Sequence, residues 1–175
     1  CGHEASLILV VGQCDNAPGI AVVDAADLKA GAISVNTLID LTKRTAQIDF
    51  TGVPAKAVLT GEHVVAAIRD YRLLGALLTA AEAAGSAARC LAVIVDYLKT
   101  RKQFGKLIGS YQALKHPTVD IYCGVEDARS FCYHAASLLD ADSLSHDAEI
   151  ACRMAKVSAG QTMSYEGDRA VQFHG

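Results

Sequence analysis

Hydrophobic positions along the chain change their period near residue 60. Before it lie short apolar runs, Leu7 to Val11, Ile20 to Val23 and Ala46 to Phe50, separated by Gly, Pro and Asp. In the last run Ala46, Ile48 and Phe50 alternate with Gln47 and Asp49, the period of two that suits a half-buried strand. The stretch from Gln13 to Gly19 (Gln-Cys-Asp-Asn-Ala-Pro-Gly) is turn chemistry, which joins two strands as in antiparallel β structure. Residues 1–60 therefore read as part of an all-β domain.

After Thr60-Gly61 the period becomes 3.6. Leu91, Ile94, Val95 and Leu98 follow i, i+3, i+4, i+7, and alanine fills most of the preceding turns. This predicts one helix of roughly ten turns over about Glu62 to Thr100. Gly105 and Gly109 mark the break after it. In a second helix Ile121, Val125, Ala128, Cys132, Ala135 and Leu139 recur at spacings of 4, 3, 4, 3 and 4, the seam of a bundle helix packing at a shallow angle. Pro117 is placed near the start of that helix, where a missing N–H does least harm. A third helix begins at about His146, with Ser145 as N-cap, Asp147 and Glu149 at the positive end, and Ile150, Met154, Val157 and Gln161 on one face. Short links between long helices imply antiparallel neighbours. The fold class is α+β: a partial antiparallel β-domain over 1–60, then an up-and-down helical bundle over 61–175 with three of its four helices. Opening on Cys1 and closing at Gly175 directly after a helical pattern, the sequence reads as a fragment.

Composition narrows the function without naming it. Of 175 residues 51% are hydrophobic and 20% charged, and 16 basic against 19 acidic residues give a formal net charge of −3. No Lys/Arg run offers a polyanion footprint, so nucleic acid is not expected as a partner. Arg72, Glu82 and Arg89 interrupt the most apolar stretch, so no membrane span is expected, and the absence of a charged-then-apolar leader pattern gives a cytoplasmic, soluble expectation. The six cysteines form no C-x-x-C pair, and in a large Ala-rich helical chain they are expected as reduced, mostly buried thiols.

Several chemistries drop out next. The glycines include no Gly-x-Gly for a dinucleotide turn, and no His-x-x-x-His or Glu-x-x-His supplies a metal face, so no metal site is expected. Ser130 and His134 sit one turn apart, and the Glu126-Asp127 and Asp140/Asp142 pairs lie adjacent or at loop ends; solvated surface groups account for all of them. What stands out is Tyr97-Leu-Lys-Thr-Arg101-Lys-Gln103-Phe104-Gly105, followed by Gln112 and by Gln172-Phe-His-Gly175. A guanidinium that can fork onto a pyrophosphate, a flat ring for adenine and an amide that donates and accepts would suit an adenine dinucleotide or a CoA-like ligand. Spacing alone favours the simpler reading of a helix end, with a basic residue facing its own dipole and glycine as the stop.

Resemblance decides between them. Tyr97-x-x-x-Arg101-x-Gln103-Phe104-Gly105, Gln112 and the later Gln172-x-x-Gly175 resemble the C-terminal half of the acyl-CoA dehydrogenase family. Asp40-x-x-Lys43-Arg44-x-Ala46 with Val53-Pro54 resembles the end of that family's middle β-domain. The resemblance implies FAD as cofactor, held between the β-domain of one subunit and the bundle of its partner, and hence a homo- or hetero-oligomer, dimer or tetramer. Arg101 would meet the pyrophosphate of the neighbouring subunit's FAD, Gln103 and Phe104 would line its adenosine end, and Gln112 would hydrogen-bond the cofactor. Gln172 and Gly175 would begin the family's Gln-x-x-Gly-Gly loop, with Phe173 and His174 as spacers.

The resemblance also implies α,β-desaturation of an acyl-CoA, with electrons leaving to an electron-transfer flavoprotein. The family's base is a Glu that most members carry in a loop after the Gln-x-x-Gly-Gly motif. A minority carry it on the first bundle helix, where this chain has Gly75 and Ala76. Glu166, in Tyr165-Glu-Gly167, precedes the loop motif, and no catalytic residue is assigned within the chain. The alternative reading is a non-catalytic subunit that completes a cofactor site in a hetero-oligomeric dehydrogenase.

Overall fold

The structure, a computed structural model, describes residues 2–175. Its contacts gather into two compact units, Cys1–Arg69 and Asp70–Gly175. In the first, strands β1 (Leu7–Cys14), β2 (Ala17–Asp24) and β5 (Ala57–Thr60) form an antiparallel sheet in the order β1-β2-β5, and β3 (Ile33–Val35) pairs with β4 (Ala46–Ile48). The β1–β2 hairpin turns on Asp15-Asn16, both at positive φ (49° and 65°), the two-residue turn whose twist matches its strands. The turn expected between Gln13 and Gly19 is thus present, and tighter than its polar run, with Pro18 already paired to Gln13 in the ladder. Strands β3 and β5 were not marked by periodicity, being only three and four residues long.

Helix α1 spans Glu62–Thr100, α2 Gln112–Ala141 and α3 His146–His174. In the second unit α1 buries Leu73, Leu77, Ala80, Ala84 and Ala87 at alternating four- and three-residue steps, and the stripe continues through partly buried Leu91 to Ile94 and Leu98. One window of α1 is long and apolar enough to cross a membrane by length and composition, so the charges at 72, 82 and 89 do not break it as expected. The second-helix seam holds: Ile121, Val125, Ala128 and Ala135 are buried and Cys132 and Leu139 partly so. Ser145 caps α3 through a 3.1 Å hydrogen bond accepted from the Ala148 N–H.

Two expectations are corrected. Helix α2 starts five residues before Pro117, at Gln112, so the proline lies inside the helix and leaves the Ala113 carbonyl without its i+4 donor. The expected apolar face of α3 points outward: Ile150, Met154 and Val157 are 42%, 46% and 53% exposed. Helix α3 instead packs through Ala148, Ala151, Cys152, Ala155 and Ala159, because short side chains let helix backbones approach closely. The thiols also differ from expectation. Of the described cysteines only Cys152 is buried; Cys14, Cys90 and Cys132 are intermediate and Cys123 is exposed. Burial raises the Cys90 and Cys132 thiols above the usual range.

Glu166 is the polar exception in this core. It is 0% exposed, and neither carboxyl oxygen has a hydrogen-bond partner. Burial disfavours its charged form and pushes the carboxyl up to about 7, from 4.5. Because the folded state holds this proton after the unfolded state has lost it, stability falls as pH rises from about 4.5 to about 7. The loss amounts to ~3 kcal/mol at most. Denaturant unfolding at pH 5 and pH 8 is expected to show a decline that Glu166→Gln removes; equal slopes in the two proteins would contradict it.

Candidate functional site

Up-down-up connectivity brings the end of α1, the start of α2 and the end of α3 to one end of the second unit. A cavity of about 490 Å³ opens there. Its walls come from Tyr97 on α1, Arg101, Gln103 and Phe104 just beyond it, Tyr111, Ala113 and Leu114 at the start of α2, and Gln172 to Gly175 at the end of α3.

The chain reverses between α1 and α2 through a two-stranded hairpin, β6 (Lys102–Gln103) with β7 (Lys106–Leu107), then a single 3-10 turn, Ile108–Ser110. The Arg101 carbonyl accepts the Ile108 N–H at 2.9 Å, closing the loop just past the hairpin. Gly109 lies so near α1 that a Cβ there would come 2.7 Å from the Leu98 carbonyl oxygen. Only glycine fits this approach, and Gly109→Ala is expected to cost ~1–3 kcal/mol in thermal unfolding; an unchanged melting temperature would refute the close contact.

Phe104 and Gly105 occupy the tip of the hairpin with φ of 54° and 80°. Both central residues at positive φ define the hairpin turn that glycine and asparagine favour. An aromatic residue in that conformation carries ~1–2 kcal/mol of backbone strain. Its ring does not recover this by burial, being 85% exposed. Tyr111 steadies the hairpin from the side. Its ring meets Phe104 edge-on at 6.4 Å, its hydroxyl donates to the Gln103 carbonyl at 3.3 Å, and the Lys106 ammonium stands 4.2 Å from its centroid.

Electrostatics at this end are mixed. Helices α1 and α3 present the negative ends of their dipoles, and α2 presents its positive end. No side chain caps α2; the Tyr111 carbonyl takes the N–H groups of Leu114 and Lys115. The Arg101 guanidinium in the cavity wall has no hydrogen bond or ion pair among the described residues. A free guanidinium, open helix N–H groups and exposed aromatic rings together suit an anionic ligand with a planar base.

Five of the residues singled out in the sequence, Arg101, Gln103, Phe104, Gln172 and Gly175, thus line one cavity, though Gln172 is 69 residues from Gln103 in the chain. Gly175 ends α3 at φ 102°, the left-handed region that favours glycine. Gln112 opens α2 but is not in the cavity wall. Sequence reasoning quoted Tyr97 in the motif without a contact of its own, placed His174 as a spacer of the loop motif, and gave no role to Tyr111.

A second groove, along α1 and α3, is lined by Arg72, Gly75, Ala76, Thr79, Arg153, Lys156 and Val157. No carboxylate lines it. Glu166 lines neither space, which fits the reading that its tripeptide is not catalytic.

Comparisons with known proteins fit this geometry. A family model described as acyl-CoA dehydrogenase, C-terminal domain, matches residues 68–175. The chain is 35% identical over 137 residues to acyl-CoA dehydrogenase IpdE2 of Mycolicibacterium smegmatis, covering 78% of this chain and 39% of that protein. It is 32% identical over 185 residues to acyl-CoA dehydrogenase fadE12 of Mycobacterium bovis, covering 98% and 46%. Among solved structures, the ChsE4-ChsE5 complex from Mycobacterium tuberculosis superposes with a TM-score of 0.79 at 24% identity, over 99% of this chain and 46% of that one, a likeness of fold. The chain spans less than half the length of these relatives.

The turn gives its own test. Phe104→Asn creates the favoured Asn-Gly pair, so relief of strain offsets the lost ring contact and the melting temperature is expected to hold. Affinity for an adenine nucleotide is expected to fall by the ~1–3 kcal/mol of one base stack. Retained affinity, measured by calorimetry, would show that the ring is not a binding face.

Proposed function

The chain belongs to the acyl-CoA dehydrogenase family, and on that premise we propose that the intact protein is an FAD-dependent acyl-CoA dehydrogenase, an enzyme that introduces an α,β double bond into an acyl-CoA thioester. The observation that carries the reading is the unpaired Arg101 guanidinium, set in one cavity with Gln103, Phe104, Gln172 and Gly175.

These residues fit the group. Arg101 would fork onto the pyrophosphate, Phe104 would offer its exposed face to adenine, Gln103 and Gln172 would donate and accept at the adenosine end, and the bare backbone of Gly175 would allow close approach. Bound FAD supplies the hydride acceptor for desaturation. The chain's own residues bind and orient it, and Gln112, at the start of α2, would add a hydrogen bond. No described residue is assigned as the base, since no carboxylate lines either cavity and Glu166 is sealed in the core.

By the same reading the cofactor reaching this cavity belongs to a neighbouring subunit, so the active form is an oligomer. Electrons would leave to an electron-transfer flavoprotein, the working compartment would be the cytoplasm, and the domain boundary would fall at residues 60 and 61, where α1 is about to begin, although α1's first turns group by contact with the first unit. Purified intact protein is expected to show flavin absorbance, and a protein that never retains FAD would overturn the proposal. Arg101→Ala is expected to weaken retention by ~1.5–3 kcal/mol, the loss of a charge-assisted contact, with Arg101→Lys between the two because it keeps the charge but not the fork. Unchanged retention in Arg101→Ala would remove Arg101 from the site.

A further inference from the structure

Helix α1 carries two apolar stripes, and only one of them faces the core. The second begins with Tyr71, Leu74 and Leu78 and ends with Val95 and Lys99. Between them it holds only Ala81, Gly85, Ala88 and Ala92. Its steps alternate three and four residues throughout, the 3.5-residue period of a helix that pairs with another along its length. Ala88 and Val95 are half-buried and the rest are exposed. The most apolar window of this helix is accordingly only 22% buried. We propose that this stripe binds a second copy of the chain, the two α1 helices packing antiparallel with Gly85 on the two-fold axis. Such an interface is independent of the cofactor reading.

The centre of the stripe permits close approach. A Cβ on Gly85 would meet no atom within 4 Å, and beside Ala81, Gly85 and Ala88 lies a hollow of about 270 Å³, walled on the α2 side by Cys132 and Tyr133. A second hollow, about 280 Å³, lies beside Val95 and Lys99. Antiparallel pairing about Gly85 sets large residues opposite small ones. Leu78 meets Ala92 of the second copy, each seven residues from the axis, and Leu74 meets Val95 at the second hollow. Tyr71 offers its ring to the Lys99 ammonium, which has no hydrogen bond or ion pair among the described residues. Along one edge Glu82 comes opposite Arg89 of the second copy and, by symmetry, Arg89 opposite Glu82. Arg89 also has no ion pair among the described residues. A parallel pair would instead set Glu82 against Glu82 and Arg89 against Arg89.

These charges favour a protein over a lipid as the occupant. A lipid surface would strip water from Glu82 and Arg89 without pairing them, whereas a second copy pairs both. The strip is about 42 Å long and about 10 Å wide, roughly 400 Å² on each copy. That is about half the share a standard interface takes from each partner. The exposed Val119 and Tyr133, which wall the two hollows from α2, lie beside the strip and enlarge it. A modest association that depends on concentration is what such a face supports.

The test is the mass of the intact protein by sedimentation velocity over a concentration series, with flavin absorbance read alongside. Gly85→Leu adds a side chain where the fold has open space and replaces a poor helix former by a good one, so the melting temperature is expected to hold or rise. At the axis that side chain meets its own copy, and association is expected to weaken about 10-fold or more. Arg89→Glu is expected to weaken it about 3- to 10-fold, because each change acts twice across the axis. The double exchange Glu82→Arg with Arg89→Glu is expected to recover most of that loss, which only the antiparallel register allows. Should Gly85→Leu fail to fold, the charge exchange decides alone. A mass unchanged by Gly85→Leu at every concentration would overturn the proposal, as would a double exchange no better than Arg89→Glu. So would a monomeric wild type that floats with phosphatidylcholine vesicles, or a Gly85→Leu that lowers the melting temperature at unchanged mass, which would place the cover of the stripe within the same chain. A wild type that binds no FAD but associates through Gly85 would overturn the cofactor reading and leave this proposal standing.

Discussion

The return of the chain from α1 to α2 is the constraint on which the site depends. Between Arg101 and Tyr111 the backbone must reverse direction, bring Gly109 under the Leu98 carbonyl and set α2 beside α1. Those residues achieve it with a hairpin of two residues per strand, the shortest connection that still pairs its strands. So small a hairpin has no room for a residue that is both comfortable in the turn and useful at the tip. Phe104 takes the left-handed conformation at a steric cost, and Tyr111 holds the result in place by hydrogen bond and ring edge. The cavity follows from this arrangement, because α3, in returning to the same end, closes its far side with Gln172 to Gly175.

Charge and backbone polarity pull in opposite directions at this end. Two helix C-termini at this end would repel an anion, and the uncapped start of α2 with the free guanidinium of Arg101 oppose them. His174 adds to the balance by taking up one open carbonyl in the last turn of α3, that of Ala170. A carboxyl near such a site could serve chemistry, but Glu166 is withdrawn into the bundle.

Much of this fold could be read from the sequence where a physical signal was local. The limits of α1, the seam of α2 and the Ser145 cap all follow from period or capping chemistry within a few residues. The hairpin at Phe104-Gly105 left almost no pattern, since two residues per strand cannot show alternation. Helix α3 misled for a different reason. A reading by hydrophobicity selects Ile150, Met154 and Val157, whereas the packing selects Ala148, Ala151, Ala155 and Ala159, because helix separation is set by side-chain size. In the cavity, Arg101, Gln103 and Phe104 were legible as a run, and Gln172 with Gly175 as a motif resemblance. Tyr111 was not, since its place depends on which helix ends meet.

The five described thiols differ in a way that has a practical use. Only a deprotonated sulfur attacks an alkylating reagent. Burial holds Cys90 and Cys132 in the protonated form and Cys152 out of reach, while Cys123 stands on the outer surface of α2. A maleimide dye added at limiting ratio would therefore be directed to Cys123 among the four sulfurs of the bundle, marking it midway along its second helix without touching the end where the nucleotide residues gather.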